Sequence, residues 1–243
     1  GVDGRSFVLS GSVTRHMSVK DSGELTEWRE IDRSEDGVGW IPHPDEAMQR
    51  ACHAIVGDDG GVWLIDPIDV PGLDDLVEEF GDVVGVVILL DRHKRDSAKL
   101  ANRHDVSVWI PSFMSGVEED IDAPVERFGN SLGESGFTLH KLVDNSFWQE
   151  GALYNEETGV LVVPESVGNT DYFHTGERQL GVHPMLRLFP PTRLDYFDPT
   201  RIRVGHGSGV SEGAPTILDD ALTGARARTP RLYFETFRDF VLG

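Results

Sequence analysis

Residues 87–101 read VILLDRHKRDSAKLA, and the candidate chemistry of the chain starts there. An apolar run stops and six charged or ionisable residues follow at once: Asp91, Arg92, His93, Lys94, Arg95 and Asp96. Carboxylates and an imidazole can hold a divalent cation or move a proton, and a guanidinium can hold an anion. At the end of a buried strand such residues line a polar site. As the first turn of a helix they are a solvated face, with Asp91 as a favoured N-cap. The local pattern fits both.

The surrounding elements decide where these residues would sit. VVGVVILL (83–90) is a near-continuous apolar run of the kind covered on both faces of a sheet, and RDSAKLANRH (95–104) is helical. Upstream, GVWLIDP follows the turn signal DDG and forms a hairpin with ACHAIVG. PGLDDLVEEFG is a short amphipathic helix with Leu73, Leu76, Val77 and Phe80 on one face and Gly81 as its stop. With the strand VSVWIP, residues 62–110 read strand, helix, strand, helix, strand. The pattern SFVLSGSVTRHMSV near the start is strand-like. SEDGVGW reads as a glycine-containing loop, and 116–130 as a polar segment. β patterns return in GFTLHKLV, in the hairpin GALY–NEET–GVLVV and in RIRVGHG. Residues 188–200 form a proline-rich ordered loop and 214–243 are mostly helical. Without repeats or a linker, residues 1–243 read as a single domain.

Composition excludes several classes. Hydrophobic content of 39% with five Trp and twelve Phe is that of a folded chain. The run of about 20 apolar residues needed to span a bilayer is absent. The first residues carry no basic-then-apolar pattern, so the expected location is cytoplasmic and no membrane partner is expected. Forty-two Asp and Glu against 22 Lys and Arg give a net charge of −20. Phosphate backbones need a basic face, which argues against nucleic acid. The only lysines are 20, 94, 99 and 141. Many acids with few lysines suit a salt-rich cytoplasm, where the Debye length shrinks to about 3 Å at molar salt. Cys52 is the one cysteine, so no intramolecular disulfide forms, and it reads as a small buried core residue. GNSLG (129–133) matches the spacing of a nucleophile elbow, but a strand follows where that turn requires a helix.

Taken in order, VWLIDP, a helix, VVILLDRHKRDS, LVVPESVGN and RVGHGSG resemble the metallo-β-lactamase superfamily, over about residues 45–225. The resemblance implies an α+β fold, an αββα four-layer sandwich with two mixed β-sheets face to face and helices on both outer faces. It implies a cleft at one edge lined by Asp66, Asp91, His93, Arg95, Asp96, Glu165 and His206. Against the family motif H-x-H-x-D-H, Asp91 stands at the first His, His93 at the second, Arg95 at the Asp and Asp96 at the third His. Glu165 stands where an Asp bridges two metals, and His206 at the last His. The middle His would fall near Asp144–Asn145, where there is none, and His140 lies too far upstream. Asp66 is implied to support the neighbouring loops.

Such sites use two divalent ions, usually zinc, to polarise a carbonyl or phosphoryl group and to supply hydroxide. Asp91, His93, Asp96, Glu165 and His206 are legitimate ligands. Arg95 is not, because its guanidinium has no acceptor, and it is expected to pair with Asp91, Asp96 or Glu165. No cofactor is expected beyond one weakly held divalent ion such as zinc. The altered motif favours a non-catalytic or weakly active protein of this fold with a degraded metal site, binding a small molecule or anion. The alternative is a metallo-hydrolase with a single or altered metal site acting on an ester, thioester or phosphoester. A third reading is a metal-free enzyme with His93 or His206 as general base and Arg95 holding an anion. The charge itself is testable. Thermal melts in low and multimolar KCl should show stability still rising beyond the range where simple screening saturates, and a flat melting temperature would contradict salt adaptation.

Overall fold

The computed structural model describes residues 27–174, 176 and 178–242. The strand-like pattern at 6–19 lies outside the described residues. The chain opens as an antiparallel meander of β1 (Arg29–Ser34), β2 (Gly37–Ile41), β3 (Cys52–Val56) and β4 (Val62–Ile65). It then crosses through α1 (Leu73–Glu78) to β5 (Val83–Val87), and through α2 (Ser97–His104) to β6 (Val108–Pro111) and β7 (Val125–Phe128). These last strands pair in parallel, and all seven lie in sequence order in one mixed sheet. The second sheet runs β13–β10–β9–β8, from β8 (Phe137–Asn145), β9 (Trp148–Asn155), β10 (Val160–Val163) and β13 (Arg201–Val204). A two-residue pair, β11 (Val167–Gly168) and β12 (Gly181–Val182), precedes β13, and α3 (Ala214–Leu242) follows it.

Side-chain alternation along the strands builds the layers. Val62, Leu64, Val86, Ile88 and Val108 face Leu73, Leu76 and Val77 of α1 and Leu100 and Ala101 of α2. The residues between them, Trp63, Ile65, Val87 and Leu89, point the other way and meet Leu139, Leu153, Val160 and Val162 of the second sheet. On that sheet's outer face, Leu161, Val163, Ile202 and Val204 pack on Leu218, Ala221, Leu222 and Ala225 of α3. The order is therefore helix, sheet, sheet, helix. Each fully buried Leu or Val contributes about 1.5–3 kcal/mol relative to exposure. Among the described residues, no helix is long and apolar enough to cross a membrane.

The local reading of the sequence holds for the strand–helix alternation of 62–110, for both hairpins and for the C-terminal helix. VVGVVILL is an interior strand between β4 and β6. Ser131 bridges to Thr138, so GNSLG is a turn into β8 rather than a nucleophile elbow. Cys52 is buried, and burial above all pushes its thiol up to about 11. Two segments differ. SEDGVGW contains the turn from β1 into β2, whose five residues are all buried, because Gly37 at φ +125° lets β3 come close. A Cβ on Gly37 would lie 2.0 Å from the Ala54 carbonyl oxygen. The polar stretch 116–130 contains edge strand β7, whose single buried residue, Phe128, is too little to show as a pattern.

The apolar run does not stop at β5. Ile88 donates its N–H to Trp109 O of β6 (3.0 Å), whereas Leu89 O accepts from Gly151 of β9 (2.9 Å). The chain thus passes from one sheet to the other just before the charged cluster. Leu153→Ala, in the layer between the sheets, is expected to cost about 2–5 kcal/mol in chemical denaturation. A change below about 1 kcal/mol would mean that the two sheets do not share that core.

Candidate functional site

At one edge of the sandwich the ends of β4, β5, β10, β12 and β13 and the start of β9 converge, and their side chains form a buried polar cluster. Asp66 follows β4 in a left-handed conformation, φ +44°. Its Oδ1 accepts from Leu89 N (2.9 Å) and its Oδ2 lies 3.0 Å from His93 Nδ1. Burial pushes the Asp66 carboxyl up to about 7, against the opposing pull of Arg95 and of the Leu89 N–H. With Asp66 ionised, His93 donates from Nδ1 and turns Nε2 toward Glu165 Oε2, 3.6 Å away.

His206 is set in the same way. Its Nδ1 donates to Met48 O (3.0 Å), leaving Nε2 an acceptor that is buried without a hydrogen-bond partner, 3.9 Å from Glu165 Oε1. Burial first, then His93 and Arg95, hold this ring well below the usual histidine range. The flanking glycines are required. Gly207 has φ +79°, and a Cβ there would lie 2.0 Å from Asn169 O, while one on Gly205 would lie 2.1 Å from Pro164 O. One donor atom from each of His93, Glu165 and His206 lies within 4.8 Å of the others, and all three residues are buried.

Two guanidiniums enter this group. Arg95, at φ +43°, is folded back beneath the loop, where Nη1 donates to Asp66 O (2.7 Å) and Ala51 O (3.0 Å). Its Nη2 lies 3.3 Å from His93 Nε2. A left-handed arginine costs about 1–3 kcal/mol, which these bonds offset. The expected ion pair of Arg95 with Asp91, Asp96 or Glu165 is not what forms. Arg92 takes that place, with Nη2 donating to Glu165 Oε2 at 2.9 Å while the guanidinium stacks over Trp148, 4.4 Å from the ring centroid. The left-handed turn at Arg95 sends its side chain to backbone carbonyls and leaves Arg92 facing the acid.

Asp91 and Asp96 are not part of the donor group. Asp91 Oδ2 accepts from Gln149 N (3.0 Å), which ties the loop to β9 beside Arg92. Asp96 precedes α2, and its Oδ2 accepts from Asp69 N (2.8 Å), bracing the loop after β4. Asp144 and Asn145 lie exposed near the tip of the β8–β9 hairpin, away from the donor group.

Two further residues belong to this cluster. Glu150 is completely buried, bridges to Leu90 and accepts four hydrogen bonds: from the backbone N–H of Glu165 and Ser166, from Ser166 Oγ and from Trp148 Nε1. Burial pushes its carboxyl up to about 7 even so. It fixes both the Glu165 backbone and the ring on which Arg92 stacks. His183 follows β12 and places Nε2 3.7 Å from Glu165 Oε1, but its Nδ1 accepts from Met185 N (3.2 Å). The proton is therefore on Nε2, and His183 faces the acid as a donor. Burial, with Arg92 and Arg187, lowers it to about 4, and the rings of Trp148, Tyr172 and Phe173 surround it.

Two imidazoles that spend Nδ1–H on an oxygen and present Nε2, together with a carboxylate, form a donor set suited to one zinc-like ion. Arg95 Nη2 shares His93 Nε2, and Asp91 and Asp96 accept from the backbone N–H groups of Gln149 and Asp69.

No protein-family model matches the sequence, and no curated protein is recognisably similar to it. Solved structures are similar in fold. The DIM-1 metallo-β-lactamase superposes with a TM-score of 0.57 at 11% identity, covering 84% of this chain and 99% of that one. A putative diflavin flavoprotein from Nostoc sp. PCC 7120 gives 0.58 at 12% identity, covering 85% and 100%. The Flv1 flavodiiron core from Synechocystis sp. PCC6803 gives 0.57 at 12% identity, covering 82% of this chain and 61% of that one. Two mixed sheets between helical layers and these superpositions together establish that the chain has the metallo-β-lactamase fold.

Proposed function

We propose that this protein is a metallo-β-lactamase-fold binding protein, non-catalytic or weakly active, whose cleft holds a small molecule or anion and rests without a two-metal centre. The observation that carries this is Arg95. Its guanidinium reaches His93 Nε2 while two backbone carbonyls, Asp66 O and Ala51 O, fix it in place. A fixed positive charge next to the histidine does the electrostatic work of a second cation without binding water for attack. Arg92 is the exchangeable cation. Its side chain is 39% exposed, and a carboxylate or phosphate arriving at the mouth can compete with Glu165 for its fork. Trp148 beneath it would report that exchange as a change in fluorescence. We also propose that the protein works in the cytoplasm and that its excess of acids is an adaptation to salt.

The second reading, a hydrolase with a single ion, is favoured by the buried, partnerless Nε2 of His206 facing Glu165. His93, Glu165 and His206 would hold the ion, which would supply a polarised water for attack on an ester, thioester or phosphoester. Asp66 would then orient His93, and His183 would donate to the Glu165 carboxylate.

Elemental analysis and zinc titration separate the two readings. The wild-type protein purified in high salt is expected to carry well under one equivalent of zinc. Arg95→Asp, which removes the guanidinium and puts an acid in a left-handed position that Asp tolerates, is expected to bind zinc at least tenfold more tightly. Arg95→Ala serves as the control for loss of the carbonyl bonds, with folding checked by melting. Two tightly held equivalents in the wild type, or equal affinity in wild type and Arg95→Asp, would overturn the proposal.

A further inference from the structure

Of the two guanidiniums beside the three-donor group, Arg92 is the one that reaches solvent, and its Nη2 donates to Glu165 Oε2 at 2.9 Å. The same oxygen lies 3.6 Å from His93 Nε2, and Glu165 Oε1 lies 3.9 Å from the partnerless Nε2 of His206. Arg92 is therefore bonded to the carboxylate that would join the two imidazoles around an ion. A metal ion and a guanidinium compete for such an oxygen, because both use its lone pairs and their charges repel. On its other side Arg92 has a second acid within reach. Its Nη1 lies 3.5 Å from Asp91 Oδ1. That oxygen is buried without a hydrogen bond, while Oδ2 of the same carboxylate is held by Gln149 N at 3.0 Å. A buried carboxylate oxygen lacking a donor is costly, so a guanidinium turning toward it gains a charge-assisted bond. The Trp148 ring lies under the guanidinium, 4.4 Å away, and Glu150 fixes that ring through Nε1 (2.7 Å).

We infer that Arg92 is a latch on the donor group of His93, Glu165 and His206. It closes the group by bonding Glu165 and opens it by turning its fork onto Asp91, so that a divalent ion and the Arg92–Glu165 bond exclude one another. The inference rests on the reading of Arg92 as the exchangeable cation and adds what exchanges for it. It also gives Asp91 a part, which is to hold the arginine rather than the ion. Asp91 suits that part because its Oδ2 is tied to β9, so the open position is fixed in place before the arginine arrives. Arg95 cannot act in this way, since two backbone carbonyls hold it. An ion pair as exposed as Arg92–Glu165 is worth up to about a factor of five in an equilibrium, and that factor is the handicap that the latch places on a metal.

The test is zinc titration of the full chain against a chromophoric chelator at constant KCl, with tryptophan fluorescence followed alongside and folding checked by melting. Arg92→Gln is expected to bind zinc about fivefold more tightly than wild type. Arg92→Lys, which keeps the charge and loses the fork, should fall between the two. In the wild type, one equivalent of zinc should change the tryptophan emission as the guanidinium shifts over Trp148, and in Arg92→Gln it should not. Asp91→Asn separates a resting place from a ligand. It should weaken zinc about threefold more in the wild-type background than in Arg92→Gln, a coupling that a double-mutant cycle reads directly. Equal zinc affinity in wild type and Arg92→Gln would overturn the latch. The same emission change in both proteins, or an equal loss from Asp91→Asn in both backgrounds, would overturn it too. The proposed function is judged separately, by resting zinc content and by Arg95→Asp, so either can fail while the other stands.

Discussion

The carboxylate of Asp66 holds together everything at the sheet edge. It sits where β4 ends, accepts the Leu89 N–H from the chain leaving β5, and orients His93 through Nδ1, while the Asp66 carbonyl anchors Arg95. One residue therefore ties the ends of two strands and orients a histidine through its side chain, and holds a guanidinium through its backbone carbonyl. A buried acid at this point is costly unless it is bonded on both oxygens, and both are. If the Asp66 carboxylate were lost, His93 Nδ1–H would lose its acceptor and the chain leaving β5 would lose the bond to Leu89 N.

Charge balance follows from that constraint. Glu165 and Asp66 bring negative charge to a site from which water is largely removed, and a metal ion is one way to compensate it. Arg92 and Arg95 are another, one reaching Glu165 directly and the other lying between the Asp66 carbonyl and His93. The two arginines differ in kind. Arg95 is bonded to backbone carbonyls, whereas Arg92 stacks on Trp148 with its side chain 39% exposed. Glu150 ties these parts together by holding the Glu165 backbone and the Trp148 indole at once.

Much of the fold was legible in the sequence, because period-two apolar strands and the helices between them are local patterns. Of the acids and histidines that the sequence places at strand ends, His93, Glu165 and His206 do meet. What was not legible depends on geometry that spacing does not encode. Arg92 and Arg95 are three residues apart and equally plausible partners for Glu165, and the left-handed turn at Arg95 decides between them. Glu150 reads as an ordinary strand acid, and only the inward face of β9 makes it a buried brace. His183 follows a two-residue strand too short to leave a periodic signal. Asp91 and Asp96 have the right chemistry for ligands, but backbone N–H groups of Gln149 and Asp69 reach them first.

The central claim, that protein guanidinium stands where a second cation would sit, is tested most directly by diffraction at the zinc absorption edge from crystals grown with excess zinc. The expected map has at most one anomalous peak, between His93, Glu165 and His206, with the Arg95 guanidinium still on the Asp66 carbonyl. Two peaks about 3.5–4 Å apart with Arg95 expelled to solvent would contradict it.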